Sequence, residues 1–305
     1  MPFTPHLSLV DDGEPGDPMS IPSDLWLAMP SRAENVALVR QAFGGLADAV
    51  GLAEPLLADV KTAVSEACNN VVVHAYGGGE GPLQVGARTA QNELSVLVRD
   101  QGEGIRPTPV VNDQAIHGVG LSLIQALTDR VEFGGGIGKG TDVRMTFSVE
   151  HELEAPGERP AADEDDQAGE RPAADEAEAP AEGLVVSIAQ GALVGPVLAR
   201  VISMLAARAG FSIDRLSDAQ LVSDALCAHA PAYLRDDDVR VAFRDGSGML
   251  EARLGPLVDG GGERLLSDAD LPGIGRLLDQ LADSVSVDRN GDGGEFLTLS
   301  FSDGA

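Results

Sequence analysis

The chain has 305 residues, of which 43% are hydrophobic and 23% charged, the balance of a soluble globular protein with room for one large core or two ordinary ones. Its formal net charge of −28 argues against a broad basic nucleic-acid surface and against docking on an anionic membrane. No apolar run reaches the roughly 20 residues of a spanning helix. The N-terminus shows no basic region followed by an apolar stretch, so no secretory signal is read and a cytoplasmic location is expected. Cys68 and Cys227 lie far apart in helical patterns and are expected as free, buried thiols.

Residues 1–22, rich in Pro, Asp, Gly and Ser, read as a flexible arm. A strand is expected over Leu25–Met29. Ser31 and Glu34 have the spacing of a capping box, after which Val36, Val39, Phe43, Leu46 and Val50 recur at helical spacing. A second helix is expected over 54–75, stopped by the glycines at 77–79. Strands follow near Leu83–Thr89 and Leu94–Arg99, joined by a turn at Ala90–Glu93. A glycine-rich loop, a helix over 119–128 and strands near 131–133 and 142–149 complete a unit spanning 23–150. Antiparallel strands interrupted by blocks of helices indicate an α+β, two-layer α/β sandwich. The segment 151–182 is dominated by Ala, Pro, Glu and Asp and carries GERPAADE twice, at 157–164 and 169–176. Such a composition predicts a disordered acidic linker.

Residues 183–305 echo the first unit. LSDAQLVSDALCAHAPAY parallels LADVKTAVSEACNNVVVHAY, VRVAFRDGSGMLEARL parallels LQVGARTAQNELSVLV, and two further segments keep the order. A tandem pseudo-repeat is therefore expected.

The candidate chemistry lies in the first unit. Glu66, Asn70 and His74 stand at i, i+4 and i+8 and form one helical stripe, opposite Val60, Val64, Cys68 and Val71. Asn offers an oxygen suited to Mg²⁺, and a Glu one turn away could order water or accept a hydroxyl proton. A solvated polar face would give the same pattern. Asp100 ends an apolar strand and is followed by Gly102 and Gly104, so it could accept from an exocyclic amine such as adenine's while the glycines admit a flat ring. A plain turn also fits. Gly118 and Gly120 precede an apolar helix whose N–H groups suit phosphate, without the GxxxxGK[ST] of a Walker loop. Thr141 follows Gly138, Lys139 and Gly140 at the head of a strand, within reach of the base or of its Asp partner.

In this order SEACNNVVVHAY, DQGEG, HGVGLSL and GKGT resemble the N, G1, G2 and G3 boxes of the GHKL ATPases. The compact form is most similar to the anti-sigma-factor serine/threonine kinases. The resemblance covers roughly 24–149 and implies a Bergerat-type site for ATP and Mg²⁺. Carried over by position, it makes Asn70 the metal ligand, Glu66 the catalytic base and Asp100 the adenine acceptor, supported by Thr141. Gly102 and Gly104 shape the base pocket, and Gly118 and Gly120 meet phosphate. The lid reads NDQAIHGVG, with His117 where an arginine is common in the family and Arg106 at its start. The implied function is phosphorylation of an anti-sigma-factor antagonist of the STAS type, sequestration of a sigma factor, or both. A non-catalytic, ATP-gated protein-binding regulator is the alternative. The partners are proteins, not nucleic acid or membrane, and the chain is expected as a homodimer or an intramolecular pseudo-dimer.

In the second unit the echo places Asp224 at the position of Glu66, Ala228 at that of Asn70 and Pro256 at that of Asp100. A degenerate copy without an intact nucleotide site is expected over 183–305.

Overall fold

The computed structural model describes residues 23–90, 92–104, 119–136, 138–149, 183–268, 270–271, 275–290 and 293–303. The arm expected over 1–22, the linker expected over 151–182 and Gly118 lie outside these residues. In chain order the first half comprises β1 (Leu25–Pro30), α1 (Ala33–Val50), α2 (Glu54–Asn70), a π turn (Val71–Ala75), β2 (Pro82–Ala90), β3 (Glu93–Asp100), α3 (Val119–Leu127), β4 (Arg130–Gly135) and β5 (Thr141–Ser148). The second half begins with β6 (Leu184–Ala189), α4 (Val194–Arg208), α5 (Ile213–His229), a 3-10 turn (Ala230–Tyr233), β7 (Asp238–Gly246) and β8 (Met249–Leu257). It closes with α6 (Gly261–Asp268), β9 (Asp270–Leu271), β10 (Gly275–Arg276), α7 (Leu277–Leu281), β11 (Ser284–Arg289) and β12 (Glu295–Ser302).

Ten of these strands form one sheet in the order β11-β12-β8-β7-β6-β1-β2-β3-β5-β4, while β9 and β10 pair separately. Strand alternation decides which face is covered. Leu25, Leu27 and Met29, then Val85 and Ala87, Val96 and Val98, and Met145 and Phe147 are buried and join one hydrophobic cluster with the helices. Their neighbours in sequence, among them Trp26, Arg88 and Arg144, point to the other face. The result is the α+β, two-layer architecture expected from the order of elements.

Local signals explain most boundaries. Gly51 adopts φ 72° and its N–H bonds Ala47 O, ending α1 with a left-handed cap. Pro55 sits in the first turn of α2, where no N–H partner is needed. Two expectations are corrected. The N-cap of α1 is Arg32 and has no side-chain cap bond; Ser31 Oγ accepts instead from the Gly81 N–H at 3.1 Å, so the hydroxyl ties the start of α1 to the approach to β2. The second helix is α-helical only to Asn70, and its last stretch widens into the π turn.

The two halves meet at a seam. β1 pairs with β2 on one side and with β6 on the other, Leu25 opposite Ile188 and Ala28 opposite Val185. Above the seam α1 lies on α4 so closely that a Cβ at Gly45 would stand 2.5 Å from Pro196 O and 2.6 Å from Val197 Cα. Arg208 of α4 is half-buried and donates to both Asp245 carboxylate oxygens at 2.6 Å and to Asn35 Oδ1 at 2.8 Å, while the buried Asn35 donates to Pro30 O at 2.9 Å. A satisfied, partly desolvated network of this kind specifies one arrangement of the helices. The exposed Arg200–Asp48 pair, at 2.6 Å, adds little.

Because only a hydrogen fits between the helices at position 45, Gly45→Ala is expected to destabilise the chain by about 1–3 kcal/mol. A urea titration followed by circular dichroism checks this, with Gly51→Asn, at a left-handed position with open space around it, as the milder control.

Candidate functional site

The site lies at one edge of the first half, where α2, the π turn, the end of β3, the head of β5 and the start of α3 converge. Glu66 and Asn70 project from the last turns of α2, with Val60, Ala63, Val64, Ala67 and Cys68 buried on the opposite side. Burial pushes the Cys68 thiol up to about 12, so it serves as core. The side chains of Glu66 and Asn70 have no hydrogen-bond or ion-pair partner among the described residues, and both face α3. A Cβ at Gly120 would stand 2.8 Å from Glu66 Oε2 and 3.6 Å from Asn70 Oδ1. Glycine at this point therefore leaves open the space between two oxygen acceptors and the first turn of a helix, whose N–H groups carry partial positive charge. Asn69 and His74 are exposed.

At the end of β3, Asp100 is buried at 4% exposure and faces the helix layer. Its Oδ1 accepts from the Gly102 N–H at 2.8 Å, and it also accepts from the hydroxyl and the backbone N–H of Thr141, its partner across β3 and β5. Burial raises the Asp100 pKa above the ordinary carboxylate value, and these hydrogen bonds act against the rise. A buried carboxylate is costly unless its acceptor sites are met, and its two oxygens have room for more than the three donors it has here.

The glycines around it are required by close approach. A Cβ at Gly102 would lie 2.1 Å from Ala75 O, and one at Gly140, φ 77°, would lie 2.0 Å from Asp100 O. Gly104, φ 75°, is equally close to Gly136 O. The loop is bonded from three directions: Glu103 N–H to Ala75 O at 2.9 Å, Gly138 N–H to Glu103 O at 2.8 Å, and Gly140 N–H to Gly102 O at 3.2 Å. The structure thus brings Glu66, Asn70 and Gly120 into one group and Asp100, Gly102, Gly104 and Thr141 into another. The π turn joins the two groups through Ala75.

Sequence reasoning passed over Tyr76. Its hydroxyl donates to Pro82 O at 2.5 Å and accepts from the Gln101 N–H at 2.9 Å. The signal was available in the aromatic residue of HAY placed directly before a glycine run.

Residues 29–147 match the model of the histidine kinase-like ATPase domain. A serine-protein kinase RsbW from Halalkalibacterium halodurans is 32% identical over 123 residues, covering 36% of this chain and 75% of that protein. The chain belongs to the histidine kinase-like ATPase family. A second serine-protein kinase RsbW, from Bacillus thuringiensis (strain Al Hakam), is 30% identical over 138 residues, covering 41% of this chain and 85% of that protein. Among solved structures, a histidine kinase domain from the Erythrobacter litoralis EL346 blue-light activated histidine kinase is 22% identical with a TM-score of 0.27. That match covers 31% of this chain and 45% of the solved one, so the chain spans less than half the length of that structure. Among the described residues no helix is long and apolar enough to cross a membrane.

The histidine kinase-like ATPase match stops before the second half, whose strand order is nonetheless the same. Outward from the seam the orders are β1-β2-β3-β5-β4 and β6-β7-β8-β12-β11. Helices α2 and α5 both have 17 residues, and the buried Val60, Ala63, Val64 and Ala67 match the buried Ala219, Val222, Ser223 and Leu226. This phase corrects the alignment drawn from sequence: Ala225, not Asp224, falls at the position of Glu66, and His229, not Ala228, at that of Asn70. In the sheet, Glu295 at the head of β12 stands opposite Leu257 as Thr141 stands opposite Asp100, so Leu257 rather than Pro256 takes the place of Asp100. A buried carboxylate is present here too, on the neighbouring strand, and one of its partners is a cation. Glu295 accepts from the Gly260 N–H at 3.0 Å, the Gly262 N–H at 3.1 Å and Arg289 at 2.8 Å. These bonds hold its carboxyl below the ordinary range, the backbone N–H of Gly260 foremost.

The raised pKa of Asp100 has a sign that can be tested. Between the ordinary value of 3.8 and its raised folded value, the native state holds more proton at this group than the unfolded state does. Its contribution to stability therefore falls as pH rises through that window. Asp100→Asn should flatten this part of the stability profile, measured by thermal melts from pH 3.5 to 7. A profile identical to the parent's would show that Asp100 is not titrating abnormally.

Proposed function

We propose that the chain is an ATP-dependent serine/threonine protein kinase of the anti-sigma-factor type, whose substrate is an anti-sigma-factor antagonist, with sequestration of a sigma factor as a companion activity. The observation that supports this reading best is the pair of unpartnered acceptors, Glu66 and Asn70, facing the open first turn of α3 at Gly120. The name carried by the similar proteins, serine-protein kinase, agrees with it.

The residues fit Mg·ATP. Asn70 offers one neutral oxygen with no competing partner, and among the described residues no group of three His, Cys, Asp or Glu forms a closed metal cage. That suits an ion held by one or two protein oxygens with phosphates and waters. Bound there, Mg²⁺ would supply charge neutralisation for the transferring phosphoryl group. The chain's own groups do the rest. Asp100, braced by Thr141, accepts from the adenine amine. Gly102, Gly104 and Gly140 let backbone come close to the base. The N–H groups at the start of α3, with Gly118 and Gly120, donate to phosphate oxygens. Glu66 accepts the proton of the substrate serine or threonine as its oxygen attacks the γ-phosphorus and the bond to the departing ADP breaks. The second half, which has Ala225, His229 and Leu257 at the equivalent positions, is the packing and regulatory partner of the first half in an intramolecular pseudo-dimer.

Glu66→Gln should leave Mg·ATP binding within about twofold of the parent and lower phosphate transfer to the antagonist by roughly 10²–10⁴-fold. Calorimetry and radiolabel incorporation measure the two quantities. Equal transfer in the variant and the parent would place the base elsewhere, and a parent that binds ATP but labels no antagonist would favour an ATP-gated binding protein without turnover. Asn70→Ala should weaken Mg·ATP at least tenfold, on the scale of one charge-assisted contact. Its affinity in excess chelator should match the parent's under the same conditions.

A further inference from the structure

Tyr76 occupies a place in the sheet that a backbone hydrogen bond would otherwise take. Leu83 is opposite Asp100 in β2 and β3, so Pro82 and Gln101 form the next rung. Pro82 has no N–H, which leaves its carbonyl and the Gln101 N–H to close that rung. They do not meet: the Tyr76 hydroxyl stands between them, accepting from Gln101 and donating to Pro82. The ring reaches this position only because residue 81 is glycine, since a Cβ there would lie 2.2 Å from the ring Cε1. The residue before it, Ala75, holds the same loop, its carbonyl taking the Glu103 N–H and abutting Gly102. Two consecutive residues at the end of the π turn thus fix positions 101–103. Burial raises the Tyr76 pKa first of all, and the nearby negative charge of Asp100 adds to that rise. The hydroxyl therefore stays protonated and keeps donating across the neutral range.

We infer that Tyr76 is a positioning residue for the adenine acceptor: by wedging the last rung of β2 and β3 open, its hydroxyl sets where Asp100 points and where the loop leaves the sheet. The inference rests on the nucleotide reading above and adds a residue that discriminates between bases without touching one. If Asp100 accepts from an exocyclic amine, displacing Asp100 costs ATP that contact in addition to what a looser 101–104 loop costs any base. Inosine triphosphate carries an oxygen in place of the amine and serves as the probe for the part of binding that does not involve Asp100.

The test uses the full-length Tyr76→Phe variant. Calorimetry should show Mg·ATP affinity falling about tenfold further than Mg·ITP affinity, the scale of one well-placed hydrogen bond, so that the preference for ATP narrows by that factor. Hydrogen exchange on the ligand-free chain should speed up at 101–104 and not in the middle of β2 and β3. Gly81→Ala, which displaces the ring, should reproduce both effects. Parallel losses for ATP and ITP would make Tyr76 a general structural residue and overturn the inference, as would unchanged exchange at 101–104. A parent chain that binds neither nucleotide overturns the nucleotide reading, and this assignment with it.

Discussion

The pairing of β1 with β6 is the constraint on which the rest of the molecule depends. Without it each half would expose an edge strand with unsatisfied backbone groups and would uncover the apolar side of α1 or α4. With it, five strands on each side become one ten-stranded sheet and the helices form one continuous layer. Antiparallel pairing also sets the geometry of the two edges that matter. Met29 is next to Leu83, and Leu83 is opposite Asp100, so the first edge lies at the end of β1. The corresponding edge of the second half lies at the end of β6, beside Asp24 at the start of β1. The two edges are at opposite ends of the strands and cannot share a ligand.

The contrast between those edges turns on how each treats a buried carboxylate. Asp100 accepts from Gly102 and Thr141, all neutral donors, and burial raises its pKa above the ordinary value. Glu295 is held by two backbone N–H groups and an arginine, which lower its pKa, as expected for a group whose partners are complete. The shifts are opposite because burial outweighs three neutral donors at Asp100, whereas at Glu295 two backbone N–H groups and the charged Arg289 outweigh burial.

Much of the first half was legible in the sequence because its signals are local. The stripe of Glu66 and Asn70, the strand ending at Asp100 and the glycines at 102, 104 and 120 each depend on neighbours a few residues away. What was missed involved distance or phase. Ser31 has the spacing of a capping box, yet its hydroxyl is taken by Gly81, fifty positions on. The echo between α2 and α5 was drawn by matching Asp224 to Glu66, but the side of a helix that faces the core is fixed by which residues are buried, and that shifts the match by one. In β8 the ladder with β12 slips between Glu295 and Leu297, so counting along the strand reached Pro256 instead of Leu257. The β1–β6 seam was illegible for the same reason, joining segments that sequence periodicity does not connect, whereas Tyr76 carried a local signal in HAY that was passed over.

The central claim is that one edge of this sheet takes nucleotide and the other does not. The most direct measurement is the stoichiometry of Mg·ATP on the intact chain by calorimetry, repeated with Asn70→Ala. The account predicts one ATP per chain, with that binding severely weakened in the variant. Two equivalent ATP molecules per chain, or one whose affinity is unaffected by Asn70→Ala, would contradict it.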